Sequence, residues 1–500
     1  MRLTDLIERL NRCPLVASVQ ASDGSPLEDP ATLARMAKAS ASRGVLVLRA
    51  QGVENIRAIR AETGLPVIGL IKRRYSGSEV YITPTMREVE ELLATDCEAV
   101  ALDATARVRP KGAKLEDLIR RIHGDGKLAM GDCDAMAAAE HARDCGADLI
   151  GTTLSGYTQD SPTPAGPDLD FVRTASNRLG LPVLAEGRFS EPKDAQSALR
   201  CGAAGVVVGG ALNDPVRQTE RFVRSLSPVI GDVGAVDIGG TWLRFAAFSS
   251  RWELLSAQKV ALPAASDERD AWIRERIREC GVCRLGVASG GTIDPATGTV
   301  LQAKAIIPNH VGACFRDLGL PAIALNDGLA SAWGHACLPE FAGRRVATLA
   351  VGTGVGCGLV DGGELLVGQA GQAAKLNDLR ANGEDSFEDL LGGVSWNANP
   401  TKEQKRSALQ AAVRAVRTVQ AMWMPEAIVL CGGVALADWF AVSSEMLGSS
   451  GKSDESSDVG WKASWVWPEI VNSPFGADAG LYGAAALALY PPVQFESLLN

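Results

Sequence analysis

The chain lacks any unbroken apolar stretch of the ~20 residues that a helix needs to cross a membrane, so neither a spanning helix nor a membrane partner is expected. It lacks an excess of positive charge: 50 Lys and Arg stand against 59 Asp and Glu, a net charge of −9. A broad basic surface for nucleic acid is therefore not expected. It also lacks cysteines in a paired, regular spacing. The 11 cysteines are odd in number and scattered, several of them inside apolar runs, as Cys357 and Cys431 are. That usage suits a reducing cytoplasm better than a disulfide framework. A single C-x-x-C, Cys280 and Cys283, has no second pair and no nearby His, and reads most simply as a helix end running into a strand. The opening residues, MRLTDLIERLNRCPLVASV, mix charges into a short apolar pattern, unlike a secretory leader.

What is present is too much for one core. Hydrophobic cores stop growing at ~250–300 residues, and this chain has 500. Two domains of similar size are expected, 1–228 and 229–500. The first has a simple rhythm. Short apolar, β-branched runs begin at Cys13, Gly44, Leu65, Glu98, Lys127, Ala147, Leu181 and Ala204, with amphipathic stretches between them. Continuous apolar strands alternating with such helices mean a parallel sheet covered on both faces. Eight units fit a closed (β/α)8 TIM barrel; an open doubly wound sheet is the alternative.

Barrel chemistry sits at the C-terminal ends of the strands. Read in order, the polar residues there are Gln20, Arg49, Lys72, Asp103, Asp132, Thr152 with Thr153, and Glu186, followed by Gly209 and Gly210. Strands three and seven are four apart in a ring of eight, so Lys72 and Glu186 are expected to face one another. Such a pair removes a proton from one face of a carbon and returns it to the other, provided that the C–H is acidified by a carbonyl. Gln20, Arg49 and Asp132 are candidates to hold the substrate and its developing oxyanion. Arg188, Gly209 and Gly210 lie in the loops where such barrels commonly seat a phosphate. Two other readings stay open: a Schiff-base aldolase built on Lys72, and a merely solvated charge run, Lys72-Arg73-Arg74.

The second half has a different grammar. Gly-rich turns join strands into hairpins at DIGGT from Asp237, VASGGT from Val287 and AVGTGVGCGLV from Ala350. The first and third resemble each other, which points to two related halves. Glycines let the backbone turn tightly and approach phosphate oxygens. Asp237 can reach a magnesium ion. Gly239, Gly240 and Thr241 form one cradle, Gly352, Thr353 and Gly354 a second, and Gly432 and Gly433 leave room for a nucleotide. Asn326 and Asp327 follow an apolar strand and open a helix, and a carboxylate so placed can accept the proton of an attacking hydroxyl. Together these residues describe phosphoryl transfer from ATP, with Mg2+, to a small hydroxylated substrate. A long helix is expected from about Lys402 to Met422, opened by a capping box of Thr401 and Gln404. The Ser-rich stretch 443–460 is expected to be a surface loop.

Specific motifs sharpen both halves. PLVASVQASDGSPLEDP, VIGLIKRRYSGSEVYITPT, ALDATARVRPKG, GTTLSGYT and AEGRFSEPKDA resemble the N-acetylmannosamine-6-phosphate 2-epimerases across nearly all of residues 1–225. The resemblance implies the same barrel, Lys72 and Glu186 as the catalytic pair, and Gln20, Arg49 and Asp132 as substrate-holding residues. The implied reaction inverts C2 of an open-chain sugar phosphate through an enediol-like intermediate. Where that family reads Ile-Thr-Arg-Pro after its last strand, this chain reads LNDP. Asp214 thus replaces a phosphate-contacting Arg, which leaves Arg188 or Arg217 to compensate.

From Val233 to Pro491, DIGGT, LGVASGGTIDPATGTV, LND, GTGVGCGLVDGGELLVGQAG and GADAGLYGAA resemble the ROK family of sugar kinases, in family order. That resemblance implies an actin-like ATPase fold of two lobes, with Asp327 as base and Asn326 and Glu388 on the sugar. Asp237, Gly239, Gly240 and Thr241 would handle phosphate and metal. GQAAK from Gly371 stands where the family's Gly-Glu-Ile-Gly-His segment supplies a zinc ligand, and the family's cysteine-rich loop is absent, so no structural zinc is expected. ROK repressors carry an N-terminal DNA-binding helix pair; here a barrel takes that place. The two resemblances imply a bifunctional amino-sugar enzyme, expected as a homo-oligomer. One half makes N-acetylmannosamine 6-phosphate and the other converts it to N-acetylglucosamine 6-phosphate. The alternative is an active epimerase whose degenerate kinase-like half serves as a sugar sensor or oligomerisation platform.

Overall fold

The computed structural model describes all residues except 23, 160, 162–165, 227, 228, 305, 394–399, 443–466 and 500. The Ser-rich stretch expected as a surface loop and the expected boundary residue 228 lie outside the described residues. The chain divides into two compact units, Met1–Leu226 and Ser227–Asn500.

In the first unit, eight strands pair in parallel and in sequence order: β1 (Leu15–Val19), β2 (Val47–Gln51), β3 (Val67–Leu70), β4 (Ala99–Asp103), β5 (Leu128–Asp132), β6 (Leu149–Gly151), β7 (Val183–Glu186) and β8 (Gly205–Val208). β8 pairs back onto β1 and closes the barrel, which rules out the open sheet. Side chains alternate across a strand, and the burial follows that alternation. Val16, Val47, Ile68, Leu70, Ala99, Ala101, Leu128, Met130, Leu149, Leu184 and Val207 pack inside the barrel. Their neighbours Ala17, Leu48, Val100, Ala129, Ile150 and Val183 pack outward against the helices.

Extending the inner parity upward gives Gln20, Arg49, Lys72, Asp103, Asp132, Thr153, Glu186 and Gly209. Each strand thus delivers one such residue to the same end of the cylinder. Gly151 shares this parity for a packing reason: a Cβ there would meet Met130 Cε at 2.4 Å and Asp132 Oδ1 at 3.0 Å. After β3 the chain folds into a hairpin in which Lys72 bridges Ile82 and Tyr75 bridges Ser78.

Among the described residues, the second unit holds two five-stranded sheets and a two-stranded one. The first runs in the order β11 (Leu254–Ala261), β10 (Trp242–Phe248), β9 (Val233–Ile238), β12 (Arg284–Ser289), β15 (Ala322–Asn326). The second runs β18 (Glu364–Leu365), β17 (Val355–Asp361), β16 (Val346–Val351), β19 (Ala427–Cys431), β20 (Glu469–Asn472). β13 (Thr292–Asp294) and β14 (Thr299–Gln302) form the small sheet. In both large sheets an antiparallel meander is extended by two parallel strands, so the similarity between the first and third Gly-rich turns reflects a duplicated topology.

Helices Asp327–Ala336 and Ala479–Leu489 pack against each other within one apolar core. Their approach is so close that a Cβ on Gly334 would lie 2.8 Å from Gly483 Cα. The long helix spans Lys402–Trp423, and Thr401 and Gln404 exchange capping-box hydrogen bonds at its start.

Candidate active sites

At the barrel mouth three charged side chains are drawn into one cluster. Arg49 is the middle residue of β2 rather than its end, and its side chain is 1% exposed inside the barrel. Its guanidinium grips Asp132 with two bonds, Nη1 to Oδ1 at 3.1 Å and Nη2 to Oδ2 at 2.6 Å. Nη1 also lies 3.0 Å from Glu186 Oε2. Burial opposes the charge on Arg49, and Asp132 and Glu186 more than offset it. A lone buried cation would be costly; one paired through a planar fork is held in a fixed place.

Glu186 ends β7. Burial pushes its carboxyl up to about 7, Arg49 pulls against that rise, and the Asp132 charge adds to it. Lys72, two residues beyond the end of β3, is exposed and lowers Glu186 through its positive charge. Its neighbour Arg73 turns the other way and pairs with Glu88 and Glu91 on helix Met86–Leu93. The basic run is thus two structural directions, as extended backbone dictates.

Gln20 donates from Nε2 to Ser18 Oγ at 2.8 Å, while its Oε1 has no hydrogen-bond partner. Arg49 Nε is unpartnered as well. Both are buried polar atoms with open hydrogen-bonding capacity. Thr153 joins the cluster without having been singled out as a site residue. Its hydroxyl lies 2.7 Å from Asp132 Oδ1 and 3.0 Å from Glu186 Oε2. The inner parity of β6 was the signal that could have found it.

The phosphate-side residues are differently occupied. Arg188 adopts a positive φ of 56°. It donates to Gly166 O at 2.7 Å and to Ser155 O at 2.5 Å, pinning the loop after β6. Asp214 accepts from Ser22 Oγ at 2.7 Å and from the Arg217 backbone N–H at 3.1 Å. The Asp in place of the expected Arg therefore ties the loop after β1 to helix Pro215–Leu226. Gly209 stands beside Ser18, and Gly210 beside Arg217.

In the second unit, every residue that the sequence reading singled out lines one cleft of about 820 Å3. Asp327 opens helix Asp327–Ala336, and burial raises its carboxyl, with the Glu388 charge adding and Lys304 opposing. Asp237 is pushed up to about 6 by burial, against Arg244, whose Nη1 is 3.5 Å away. Asn326 caps the helix: its Oδ1 accepts from Gly328 N–H at 3.0 Å, and its Nδ2 donates to Gly291 O at 2.8 Å. Glu388 Oε2 accepts from Val355 N–H at 2.9 Å, and its Oε1 pairs with Lys304 at 2.8 Å. Lys304, Lys375 and Arg244 line the same cleft and were not foreseen.

The residues fit a nucleotide and a hard cation. Asp237 and Asp327 are oxygen donors of the kind that Mg2+ takes, one or two at a time. A Cβ on Gly480 would come 3.1 Å from the Asp237 carboxyl, and one on Gly432 would come 2.5 Å from Val351 O. Both glycines therefore keep backbone close to the cleft. The residues do not fit a structural zinc: 371–393 contain neither Cys nor His.

Known proteins match both units. The NanE family of N-acetylmannosamine-6-phosphate epimerases matches residues 33–227, and the ROK family matches residues 233–389. The bifunctional enzymes NanE/NanK of Brucella melitensis and Brucella suis are each 35% identical over 526 aligned residues, covering 97% of this chain and 98% and 96% of theirs. Among solved structures, the N-acetylmannosamine-6-phosphate 2-epimerase from Clostridium perfringens is 42% identical over 44% of this chain and 96% of its own, with a TM-score of 0.43. A ROK family glucokinase from Streptomyces griseus, solved with glucose and AMPPNP, is 21% identical over 51% of this chain and 99% of its own, also with a TM-score of 0.43. With the bifunctional relatives aligned through both units, this chain belongs to the bifunctional NanE/NanK family, an epimerase barrel joined to a ROK sugar-kinase unit.

Proposed function

We propose that the second unit phosphorylates N-acetylmannosamine on its 6-hydroxyl, and that the barrel then inverts C2 of the product to give N-acetylglucosamine 6-phosphate. In the barrel, Lys72 and Glu186 take opposite faces of C2. One removes the proton next to the aldehyde, and the other delivers a proton from the far side. The charge that develops on the carbonyl oxygen is met by the Arg49 guanidinium, which Asp132 holds in place. Gln20 offers its unpartnered carbonyl oxygen to the sugar.

In the second unit, Asp327 accepts the proton of the 6-hydroxyl as that oxygen attacks. Asn326 and Glu388 orient the sugar. The turns at Gly239–Thr241 and Gly352–Gly354 would present backbone N–H groups to phosphate oxygens, and Asp237 would hold Mg2+. Bound ATP supplies the transferred group, and Mg2+ neutralises its charge. No zinc takes part in this reading.

One observation carries the proposal. Each unit holds its own largely enclosed carboxyl raised by burial: Glu186 ends a strand beside Arg49, and Asp327 opens the helix that follows a strand, its rise opposed by the Lys304 charge. Groups so perturbed are candidates to carry protons in catalysis. The test offers two substrates separately and follows the sugars by NMR. N-acetylmannosamine with ATP and Mg2+ should be phosphorylated, and N-acetylmannosamine 6-phosphate alone should be epimerised. A protein that leaves both unchanged would refute the reading.

A further inference from the structure

We propose that Thr153 is a positioning residue of the barrel site, whose one hydroxyl proton goes to Asp132 so that its oxygen receives the proton of Glu186 and holds that residue as the acid. The proposal rests on the epimerase reading of the barrel.

A threonine hydroxyl has a single hydrogen to donate and lone pairs to accept with. Thr153 Oγ1 nevertheless stands within hydrogen-bonding distance of two carboxyl groups, 2.7 Å from Asp132 Oδ1 and 3.0 Å from Glu186 Oε2. It can donate to only one. The other contact is a hydrogen bond only if that carboxyl brings its own proton.

The surroundings decide which. Asp132 is fully buried and takes both prongs of the Arg49 fork, so it is the charged partner. The contact to it is also the shorter, as a bond to a charged acceptor should be. Glu186 has one Arg49 nitrogen at 3.0 Å and shares it with Asp132. The groups facing Glu186 are therefore Arg49 from β2, Asp132 from β5, Thr153 beyond β6 and Lys72 beyond β3. One guanidinium cannot fully neutralise two carboxylates, and a mostly buried carboxyl binds its proton more tightly when a second negative charge stands beside it. The threonine oxygen gives that proton a defined direction.

The consequence is an assignment of roles. Starting from the manno sugar, the Lys72 amine takes the C2 proton, and the C2–H bond breaks. The Glu186 carboxyl proton then forms the new C2–H bond on the opposite face. The enzyme is left with a Lys72 ammonium and a Glu186 carboxylate, and exchange with solvent restores both. As Glu186 gives up its proton, the Thr153 hydroxyl turns towards it, while Asp132 keeps its two bonds from Arg49.

The test titrates the full-length protein, 13C-labelled at its glutamate carboxyls, by NMR, with Glu186→Gln identifying the resonance. The wild-type midpoint is expected above the ordinary carboxylate range, because burial and the Asp132 charge raise it. Thr153→Val should lower it by about one pH unit, the equivalent of one lost hydrogen bond to the acid form. Thr153→Ser should restore it. A midpoint that stays or rises in the valine variant overturns the proposal, because a hydroxyl donating to Glu186 would instead stabilise its carboxylate. A serine variant that fails to restore the midpoint overturns it too. If the valine variant does not fold, Thr153→Ala decides by the same titration. Failure of the epimerase reading looks different: the wild-type protein would then leave N-acetylmannosamine 6-phosphate unchanged, wherever the midpoint falls.

Discussion

The two units solve the problem of handling a sugar phosphate in opposite ways. The barrel gathers charge: the Arg49 guanidinium lies within 3.1 Å of both the Asp132 and the Glu186 carboxyl, inside a layer of side chains delivered by alternate strand positions. The second unit spreads its charged side chains, among them Asp237, Arg244, Lys304 and Glu388, around a cleft of about 820 Å3 that glycine turns also line. Proton transfer at carbon needs side chains of tuned acidity, so the barrel places charged groups against each other. Phosphoryl transfer needs many N–H donors around oxygens, so the second unit uses glycine turns. Substitutions should therefore hurt the two units unequally and independently.

The largest effects should be catalytic. Lys72→Ala and Glu186→Gln should each lower epimerisation by on the order of 10³-fold and leave phosphorylation intact. Asp327→Asn should do the reverse. Assays of the two activities on each variant check this, and loss of both from a single change would erase the contrast.

Next comes Arg49→Met. It leaves Asp132 and Glu186 buried without their cation, a loss of ~3–5 kcal/mol. Thermal unfolding should show the barrel destabilised and the second unit unmoved.

Acidity offers a subtler comparison, because burial raises carboxyls in both units, Glu186 to about 7 in the first and Asp237 to about 6 in the second. A raised carboxyl binds its proton more tightly when folded. Stability is therefore lost as pH climbs from the ordinary carboxylate range towards the folded value, at ~1.4 kcal/mol per pH unit. Glu186→Gln should flatten that slope for the barrel up to pH 7, and Asp237→Asn for the second unit up to pH 6. Denaturant unfolding across pH 4–8 measures both.

Smaller still is Lys304→Met. It removes the cation that lowers Asp327 and pairs with Glu388. The acid limb of the phosphorylation profile should move to higher pH, with about tenfold less activity below it. Ser22→Ala should matter least, costing about 1 kcal/mol for one hydrogen bond to Asp214.

Much of this was legible in the sequence, because regular structure writes itself as period. Eight apolar runs announced the barrel, and the polar residue ending each run pointed to the mouth. Arg49 shows the limit of that rule: it sits mid-strand, and only its shared parity with Val47 places it inside. Thr153 was named among the polar strand ends but given no role, because a threonine carries no charge to draw attention; its weight comes from two carboxyls brought to it from β5 and β7. Lys304 and Arg244 were invisible for a similar reason. They reach the cleft through loop and hairpin geometry that no local pattern encodes. Arg188 was legible as a residue but not as a contact, since the carbonyls it binds belong to a loop distant in sequence.

The central claim is that two chemically independent sites share one chain. The direct measurement mixes two proteins, Asp327→Asn and Lys72→Ala, with N-acetylmannosamine, ATP and Mg2+ in heavy water. Neither variant alone should make N-acetylglucosamine 6-phosphate, whereas the equal mixture should make it with deuterium at C2. A mixture that stays inactive although each variant retains its remaining activity, or a single variant that completes the conversion, would contradict the account.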